Sequence, residues 1–446
     1  MPDTHSSPKP TLRLIDAIVL IIGIVVGAGI FRTPSVVASH APDNFWFLTA
    51  WLLGGVISLV GALCYSELSS AFPNAGGDYH FLKLAYGKNF SFLFAWSRVT
   101  VTQTGSIAIL AYIAGDYLSQ LFPLGVYSST YYSIIIIFIL TLINILGIKF
   151  GTGIQKFLLS LQLICILIIV FAGLLTVPVD TIVINELQTG INGSSTATIS
   201  LALIFVLLTY GGWNEAAYIS SELKTGSKKM ALVLILSILI ITVIYLLINM
   251  AFLRVLGLEG IASSDAVGVD MMRATLGEKG VFLIGILVVL SALSSLNTTI
   301  FTGARTNYAL GKDFVTLSFL GKWNSEKSAP VNSLILQGAI AITLVIFGAF
   351  TRNGFESMVD FTAPVFWFFF LFTGISLFVL RKKYSDTPRP FKVPLYPLTP
   401  IIFVVFCAYM LYSSLTFTGI GSLVGIVILF LGWFFSLIFR IRKQNK

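Results

Sequence analysis

The residues best placed to do chemistry in this sequence are two glycine clusters inside long apolar stretches. The first stretch carries Gly23, Gly27 and Gly29, and the sixth carries Tyr210-Gly211-Gly212-Trp213-Asn214. Glycine costs about 1 kcal/mol against alanine inside a helix, so such clusters permit the chain to unwind. Unwound backbone at membrane depth is tolerated only where it is buried in protein or lines a cavity. Alternatively, Gly23-x-x-x-Gly27 forms a helix-packing face of small residues.

Unwound backbone at these two places has the polarity needed to bind a small zwitterion. The N–H groups that begin the outer half of the first stretch present free donors and a positive dipole end to a carboxylate; they belong to Ala28, Gly29 and Ile30. Carbonyl groups at the two interruptions can accept the three protons of an ammonium group; they belong to Val25, Val26, Leu208 and Thr209. The arrangement fits an α-amino acid and needs no charged side chain.

The composition of the whole chain indicates an all-α integral membrane protein. Only 11% of the 446 residues are charged, against about 25% in a soluble domain, while 56% are hydrophobic and the mean hydropathy is +0.92. These values exclude a soluble enzyme, a disulfide-stapled secreted module and a disordered scaffold. The net charge is +9, but the basic residues lie in short clusters between apolar stretches and do not form one patch, which does not favour a nucleic-acid partner.

A span of about 20 apolar residues crosses a bilayer, and this length predicts twelve transmembrane helices. Their approximate cores are Leu14–Phe31, Phe45–Tyr65, Phe92–Phe122, Tyr131–Leu146, Phe157–Val177, Ile199–Ser220, Met230–Phe252, Val281–Leu310, Ser333–Phe350, Phe355–Leu380, Ile401–Leu415 and Ile420–Phe439. Residues 1–13 form an N-terminal tail, 14–177 the first five helices, 199–380 the next five, and 381–446 the last two helices and a C-terminal tail. The first and sixth helices cross the membrane in opposite directions, as inverted-topology repeats require.

The basic residues predict the orientation. With the N-terminus inside, most Lys and Arg residues face the cytoplasm, and the outer side carries only Arg32, Arg254, Arg273, Lys279 and Arg352. This distribution obeys the positive-inside rule. We therefore expect a multi-pass protein of the cell (plasma) membrane with both termini cytoplasmic.

Several motifs resemble those of the amino acid–polyamine–organocation superfamily, in particular its L-type amino acid transporter branch. They are Gly27-Ala28-Gly29-Ile30-Phe31, Tyr65-Ser66-Glu67-Leu68, Phe72 to Tyr79, Tyr210 to Asn214, Ser291 to Arg305 and Arg389 to Pro394. The similarity covers essentially the whole chain. It implies a leucine-transporter-like 5+5 inverted repeat with helices 1 and 6 unwound and two peripheral helices. It also places the carboxylate-binding loop on Gly27, Ala28 and Gly29, and the amino-group carbonyls on Val25, Leu208, Thr209 and Gly211.

The sequence departs from this family's pattern at two positions. Ala28 stands where the family often has serine, so backbone donors must hold the carboxylate without help from a hydroxyl. In the fifth helix, many sodium-independent members have a lysine where this chain has Gln162, which puts lysine-based coupling in doubt. The hydroxyls of helix eight then need another partner: Gln162 donates to them, an ion binds there, or Gln162 is a buried structural residue. These coupling candidates in helix eight are Ser291, Ser294 and Ser295.

Ionisable residues inside the membrane are functional hypotheses by default. Snorkelling to the inner interface is the simplest interpretation of Arg98, with a gate or coupling role as the alternative. Glu67 and Glu222 are expected to pair with Arg98 or the basic inner loops, or to latch an inner gate. Glu215, one turn beyond the second glycine cluster, is a candidate proton carrier or faces an inner vestibule. Asp360 is an interface or helix-start residue, with a selectivity role as the alternative.

Side chains beside the glycine clusters are candidate gates, although packing explains them equally well; they are Phe31, Tyr210, Trp213 and Asn214. Together these features predict a secondary active transporter that moves neutral L-amino acids by alternating access. Cationic amino acids or polyamines are the nearest rival substrates, because Glu215 could pair with a second ammonium group. Coupling to H⁺ or Na⁺, uniport, exchange and the oligomeric state are left open.

Functions of other classes are disfavoured. A channel would need a repeated filter or an acidic ring. An intramembrane enzyme would need paired catalytic groups, yet the histidines (His5, His40 and His80) fall in termini or loops, and no H-E-x-x-H motif occurs. No catalytic residue, metal site or cofactor is expected, and the partners are the amino acid and membrane lipid. Animal members of the L-type branch that this chain resembles attach a heavy subunit through a cysteine between the third and fourth helices; residues 120–130 contain none, so the resemblance implies no disulfide-linked subunit here. Cys64, Cys165 and Cys407 are expected to be buried thiols.

Overall fold

Helices make up nearly all of the regular structure in the computed structural model, which describes residues 13–74, 76–146, 151–175, 195–217, 229–314, 317–324, 327, 329–350 and 354–444. Among these residues there is no β-strand, only one isolated bridge between Asn324 and Ala329. Long apolar runs fold in this way because a helix satisfies its backbone groups within one segment.

The described residues of the first half form eight α-helices, and a break separates the first of them from the second. They are α1 (Leu14–Val25), α2 (Thr33–His40), α3 (Asn44–Ala71), α4 (Gly77–Tyr86), α5 (Lys88–Ser97), α6 (Gln103–Leu121), α7 (Ser128–Leu146) and α8 (Gly151–Leu175). A 3₁₀-helix (Ala28–Phe31) lies between α1 and α2, and a π-helical turn (Arg98–Thr102) joins α5 to α6. Asp43 begins α3 as an N-cap, since its carboxylate accepts the Trp46 N–H at 2.8 Å.

The second half begins with α9 (Ser195–Tyr210), which is followed by a 3₁₀-helix (Trp213–Ala217). The remaining helices are α10 (Met230–Ala262), α11 (Val267–Asp313), α12 (Val331–Ala349), α13 (Gly354–Lys383), α14 (Leu398–Thr416) and α15 (Ile420–Gln444). α10 and α11 extend well beyond the predicted seventh and eighth membrane helices. Each bends at a glycine with positive φ, Gly257 (68°) and Gly277 (65°), so the connection between these two membrane helices is itself helical.

Eight helical segments in the described residues are long and apolar enough to cross a membrane, which confirms the all-α membrane class. They are Asn44–Ala71, Ser128–Leu146, Ile199–Ala217, Met230–Ala262, Val267–Lys312, Val331–Ala349, Gly354–Lys383 and Leu398–Thr416. The predicted first and third helices are instead divided, by the break after Val25 and by the π-helical turn at Arg98–Thr102. The predicted fifth and twelfth correspond to shorter apolar segments, Ser160–Leu175 and Gly421–Ser436. The count of twelve stays a prediction.

Helices from the two halves pack together in corresponding pairs. α3 packs against α10, α6 against α11 and α7 against α12, while α1 contacts the 3₁₀-helix that follows α9. Small residues allow these close approaches: a side chain at Gly55 of α3 would collide with Thr242 of α10. This packing brings the two interruptions, one from each half, into contact.

Candidate functional site

The first interruption lies where the sequence predicts it. α1 ends at Val25, Gly27 is extended (φ −99°, ψ −169°), and the 3₁₀-helix starts at Ala28. Because Ala28 and Gly29 are the first two residues of this helix, no earlier carbonyl of the same helix can accept their N–H groups. Neither N–H donates to another backbone carbonyl among the described residues. Both donors are therefore available to a ligand.

The second interruption follows α9, which ends at Tyr210. Gly212 has φ +105°, a conformation that side-chain-bearing residues rarely adopt. A Cβ at Gly212 would also lie 3.0 Å from Ile24 Cγ2, so this glycine permits both the turn and a close approach to α1. The chain then enters the 3₁₀-helix, where the Glu215 N–H donates to the Gly212 carbonyl at 3.0 Å.

The two interruptions lie side by side. A Cβ at Gly29 would lie 3.6 Å from Thr209 Oγ1, and Thr209 Oγ1 is 2.7 Å from Thr33 Oγ1. On the other side, a Cβ at Gly27 would lie 3.6 Å from Ser295 Oγ of α11. Gly27 and Gly29 are partly exposed, whereas the side chains of Ala28, Ile30 and Phe31 between and beyond them are fully buried. Between Val25 and Phe31, the two glycines are therefore the residues that keep partial exposure.

A tyrosine of α10 bridges the two interruptions. The Tyr245 hydroxyl oxygen lies 2.9 Å from the carbonyl oxygen of Val25 and 2.9 Å from that of Thr209. The Tyr245 side chain is fully buried, so in this conformation its single proton serves both acceptors. Sequence reasoning missed this residue, because one tyrosine in an apolar helix gives no signal of what it faces.

Most of the carbonyl groups expected to receive an ammonium already have donors. Besides the Tyr245 hydroxyl, the Val25 carbonyl accepts the Gly27 N–H at 2.8 Å. The Leu208 carbonyl accepts the Gly211 N–H at 2.9 Å. In this conformation the Tyr245 hydroxyl thus lies against one carbonyl of each interruption.

The candidate gating aromatics are fixed by packing and hydrogen bonds. The Phe31 carbonyl accepts the Tyr117 hydroxyl at 2.9 Å, and the Phe31 ring is fully buried. The Tyr210 ring meets Tyr245 at 4.9 Å between centroids. The Trp213 ring packs edge-on against Tyr65 and Phe370, at 5.1 and 5.6 Å between centroids.

On the predicted outer side, a buried arginine joins several helices. Arg32 is 4% exposed, and its Nε lies 3.4 Å from Asp116 Oδ2 of α6. Its second terminal nitrogen is 3.8 Å from Asp265, and its guanidinium lies 5.6 Å from the centre of the Phe355 ring of α13. Sequence reasoning placed Arg32 outside without assigning it a partner. These contacts hold the outer half of the first membrane helix closed against its neighbours.

On the predicted inner side, Arg98 forms an ion pair with Glu215 at 3.0 Å. The expectation that Arg98 snorkels to the interface is wrong, because its side chain is only 9% exposed and points to the 3₁₀-helix after α9. Arg98 also begins the π-helical turn, and such turns often occur at functional sites. Next to this pair, the Asn214 side-chain amide donates to Asp78 Oδ2 of α4 at 3.2 Å.

Glu67 pairs with basic residues of the predicted inner side, as expected, and not with Arg98. Its carboxylate, 2% exposed, accepts two hydrogen bonds from Arg381 at 2.7 and 2.5 Å, and Arg389 Nε lies 3.4 Å away. It also accepts the Val393 N–H at 2.7 Å. Glu67 thus ties α3 to α13 and the loop that follows. Asp360 of α13 accepts the Gly419 N–H at 3.0 Å, a contact with the residue that directly precedes α15. Glu222 lies outside the described residues.

Among the coupling candidates, Ser295 lies beside the first interruption and Glu215 follows the second. Gln162 and Ser291 are 2% and 1% exposed, and neither the Gln162 side-chain nitrogen nor the Ser291 hydroxyl forms a hydrogen bond within the described part of the chain. Ser294 is buried beside them in sequence, and Ser295 is the hydroxyl that faces Gly27. Cys64 and Cys407 are free, buried thiols, as expected, and the side chain of Cys165 is not described.

Comparison with known proteins identifies the family. The model of the family described as "Amino acid permease" matches residues 12–439. The chain is 27% identical to the b(0,+)-type amino acid transporter 1 of Rattus norvegicus, over 93% of this chain and 84% of that protein. It is also 27% identical to the serine/threonine exchanger SteT of Bacillus subtilis, over 91% of each. The identity is again 27% with the large neutral amino acids transporter small subunit 2 of Mus musculus, over 95% of this chain and 81% of the relative. With its interrupted membrane helices and this match over nearly its whole length, the chain belongs to the amino acid permease family.

Proposed function

We propose that this protein is a secondary active transporter that moves neutral L-amino acids across the cell membrane by alternating access. The observation that carries the proposal is the meeting of two interrupted helices around the Tyr245 hydroxyl, with unoccupied N–H donors on one side. Membership of the amino acid permease family supports the proposal, as do three relatives whose names describe amino acid transport or exchange.

Substrate binding uses the main chain. The N–H groups of Ala28 and Gly29, at the positive end of the short helix, receive the carboxylate. The carbonyls of Val25 and Thr209 receive the ammonium group after the Tyr245 hydroxyl has moved away. The further predicted contacts are Val26, Gly27, Ile30, Leu208, Tyr210 and Gly211. Because both charged ends of the solute meet backbone groups, these contacts recognise the ammonium and carboxylate groups that all α-amino acids share. They do not discriminate between substrate side chains.

The ion pair between Arg98 and Glu215 favours neutral over cationic substrates. A second ammonium group, on a cationic amino acid or a polyamine, would need an acid near the interruptions. Glu215 is already paired with Arg98 at 3.0 Å. Removing one partner of a partly buried pair leaves an uncompensated charge, which is unfavourable. A cationic substrate would therefore compete with Arg98 for Glu215.

Alternating access is supported by contacts on both sides of the interruptions. The Arg32 contacts close the outer side, while the Arg98–Glu215 and Asn214–Asp78 contacts close the inner side. Pairing of α3, α6 and α7 with α10, α11 and α12 is the arrangement expected of a 5+5 inverted repeat. We extend this proposal to twelve membrane helices, a cell-membrane location and cytoplasmic termini. Phe31, Trp213 and Asn214 then act as gates, because they adjoin the interruptions.

Coupling, if it involves H⁺ or Na⁺, is proposed to use Gln162, Ser291, Ser294, Ser295 or Glu215. Gln162 and Ser291 are buried with unused hydrogen-bonding capacity, which is what a bound ion or water would satisfy. We propose no enzymatic activity and no cofactor. No disulfide-linked subunit is proposed either, because residues 120–130 contain no cysteine.

Uptake by the purified full chain in proteoliposomes tests this function. Labelled alanine, leucine and arginine are offered with and without internal substrate, and with imposed H⁺ or Na⁺ gradients. Saturable uptake of alanine or leucine that accelerates with internal substrate supports a carrier for neutral amino acids. Uptake inhibited only by arginine would overturn the substrate class, and unsaturable flux would indicate a channel. A Gln162→Lys and Glu215→Gln pair tests coupling; unchanged ion dependence in both would exclude these two residues from it.

A further inference from the structure

One buried carboxyl group near the second interruption has no role in substrate binding. Asp78, the second residue of α4, is 3% exposed and accepts the Asn214 side-chain N–H at 3.2 Å. Within the described residues, no basic nitrogen lies within ion-pair distance of this carboxyl. Asn214 is two residues beyond Gly212, the glycine at which the chain turns after α9. Asp78 therefore lies where α4 contacts the segment that follows the second interruption.

The charged groups around Asp78 come from several elements. Arg98 of the π-helical turn is paired with Glu215, so it does not neutralise Asp78 directly. The other groups on packed elements are Tyr65 of α3, His80 and Lys83 of α4, Lys88 of α5, and Arg381 and Lys383 of α13. Arg381 is held by Glu67, and Lys383 donates to the Leu84 carbonyl. Among the described residues, none of these basic groups forms an ion pair with Asp78.

Burial has the largest effect on the pKa of this carboxyl. Loss of water raises the pKa of Asp78 to about 6, from an ordinary value of 3.8. Hydrogen bonding with Tyr65 and Asn214 and the charge of Arg98 oppose the shift, while the charge of Glu215 adds to it. A buried carboxyl without a direct counter-charge holds its proton more tightly than an exposed one.

We propose that Asp78 is a proton-binding site of the inner gate: with its proton bound, the neutral carboxyl stays buried against Asn214 and keeps the inner side closed, and proton loss favours opening. The proposal rests on the proposed function, because it assigns a regulator to the inner gate of that transport pathway. The ligand is a proton from the cytoplasm, and the affected step is opening towards the cytoplasm.

The direction of the pH effect follows from the thermodynamic linkage between proton binding and gate closure. The closed gate binds the proton more tightly than the open gate, in which water reaches Asp78 and its pKa returns to an ordinary value. Acid therefore favours closure, and this contribution is lost as pH rises from about 4 to about 6. Above that range opening no longer depends on Asp78 protonation. The full difference in pKa corresponds to about a 100-fold change in the opening equilibrium.

Cysteine labelling in the detergent-solubilised full chain measures gate opening without transport. Ala216→Cys, in the 3₁₀-helix after the break, replaces a residue that is 1% exposed and is reached by a maleimide when the gate opens. Ser385→Cys, on an exposed loop, reports the pH dependence of the thiol reaction itself. The rate ratio of the two positions is expected to rise about tenfold between pH of about 5 and 7.5 and then level off. A ratio that does not change with pH overturns the proposal.

Two variants identify the titrating group. Asp78→Asn keeps a neutral acceptor for Asn214 and is expected to give slow labelling at Ala216→Cys at every pH. His80→Gln removes the histidine of the same helix, whose pKa is lowered by burial and by Lys83, and is expected to keep the wild-type pH profile. A profile abolished by His80→Gln assigns the effect to His80 and refutes our assignment. If Asp78→Asn does not fold, the pH dependence of the labelling-rate ratio in the protein that retains Asp78 still supports or overturns the proposal.

Uptake measured with the same preparations separates the two proposals. Absence of uptake for all amino acids, with a pH-dependent labelling ratio, would overturn the proposed function and leave the proton site standing. Uptake of neutral amino acids with a pH-independent ratio would leave the function standing and remove the proton site.

Discussion

Replacing Tyr245 by phenylalanine tests whether its hydroxyl occupies the place of the substrate's ammonium group. The substitution keeps the ring contacts with Trp51 and Tyr210 and removes one donor from the carbonyls of Val25 and Thr209. A buried acceptor that loses its donor costs about 1–3 kcal/mol. The unliganded variant is therefore expected to be less stable than the wild type by about that amount.

Binding of the substrate offsets the stability that Tyr245→Phe loses. In the wild type an ammonium group competes with the Tyr245 hydroxyl, whereas in Tyr245→Phe it replaces the missing donor to the Thr209 carbonyl and the second donor to the Val25 carbonyl, which still accepts the Gly27 N–H. The affinity of the variant for a neutral amino acid is therefore expected to rise by about 5- to 150-fold, which is the same 1–3 kcal/mol expressed as a binding constant. Thermal unfolding with and without the amino acid, together with equilibrium binding of labelled leucine or alanine, measures both quantities.

Tyr112→Phe is the matched control. Tyr112 is also buried, and its hydroxyl donates to the Val345 carbonyl at 2.6 Å between α6 and α12, away from the interruptions. It is expected to lose comparable stability with no change in amino acid affinity. Binding in Tyr245→Phe that is equal to or weaker than in Tyr112→Phe would refute the idea that hydroxyl and ammonium compete.

Three other substitutions test the ion pairs and the second break. Arg32→Gln leaves Asp116 without its cation and is expected to destabilise the protein by about 3–5 kcal/mol in thermal unfolding. The control Arg273→Gln, in an exposed pair, is expected to lower the free energy of unfolding by less than about 1 kcal/mol. Equal losses would contradict a buried ion-pair cluster around Arg32. Glu67→Gln leaves two arginines without their anion and is expected to lower the unfolding temperature more than Arg273→Gln; a smaller shift would deny the link between α3 and α13. Gly212→Ala and Gly87→Ala both force positive φ and are expected to cost about 1–2 kcal/mol, but only Gly212→Ala is expected to abolish uptake; retained uptake would count against a site at the break.

The class of the fold and the positions of the two interruptions could be predicted because both depend on local properties. Apolar length predicts membrane helices, and glycine at 27, 29, 211 and 212 weakens a helix wherever it lies. Boundaries were less accurate where polar residues continue a helix, as in α3, which runs to Ala71 instead of ending near Tyr65. The connection after α10 was missed for the same reason, since hydropathy ends at the membrane surface but helical structure does not.

Pairings between distant residues could not be predicted from local pattern. The snorkelling prediction for Arg98 considered only its depth in one helix, but its partner Glu215 lies 117 residues away. For Glu67 the inner basic residues were correctly predicted as partners, but the sequence could not specify which of them, and the structure shows Arg381, 314 residues away. Which side chain meets which depends on the rotation and register of packed helices, and composition does not specify these.

The sequence by itself determined that this chain is a bundle of membrane helices interrupted at two glycine clusters, because apolar length and backbone propensity act within one segment. Only the tertiary structure decided what surrounds those interruptions. Tyr245, Arg32 and Asp78 acquire their roles from neighbours on other helices, since a hydroxyl or a charge buried away from water must find its partner wherever packing places one.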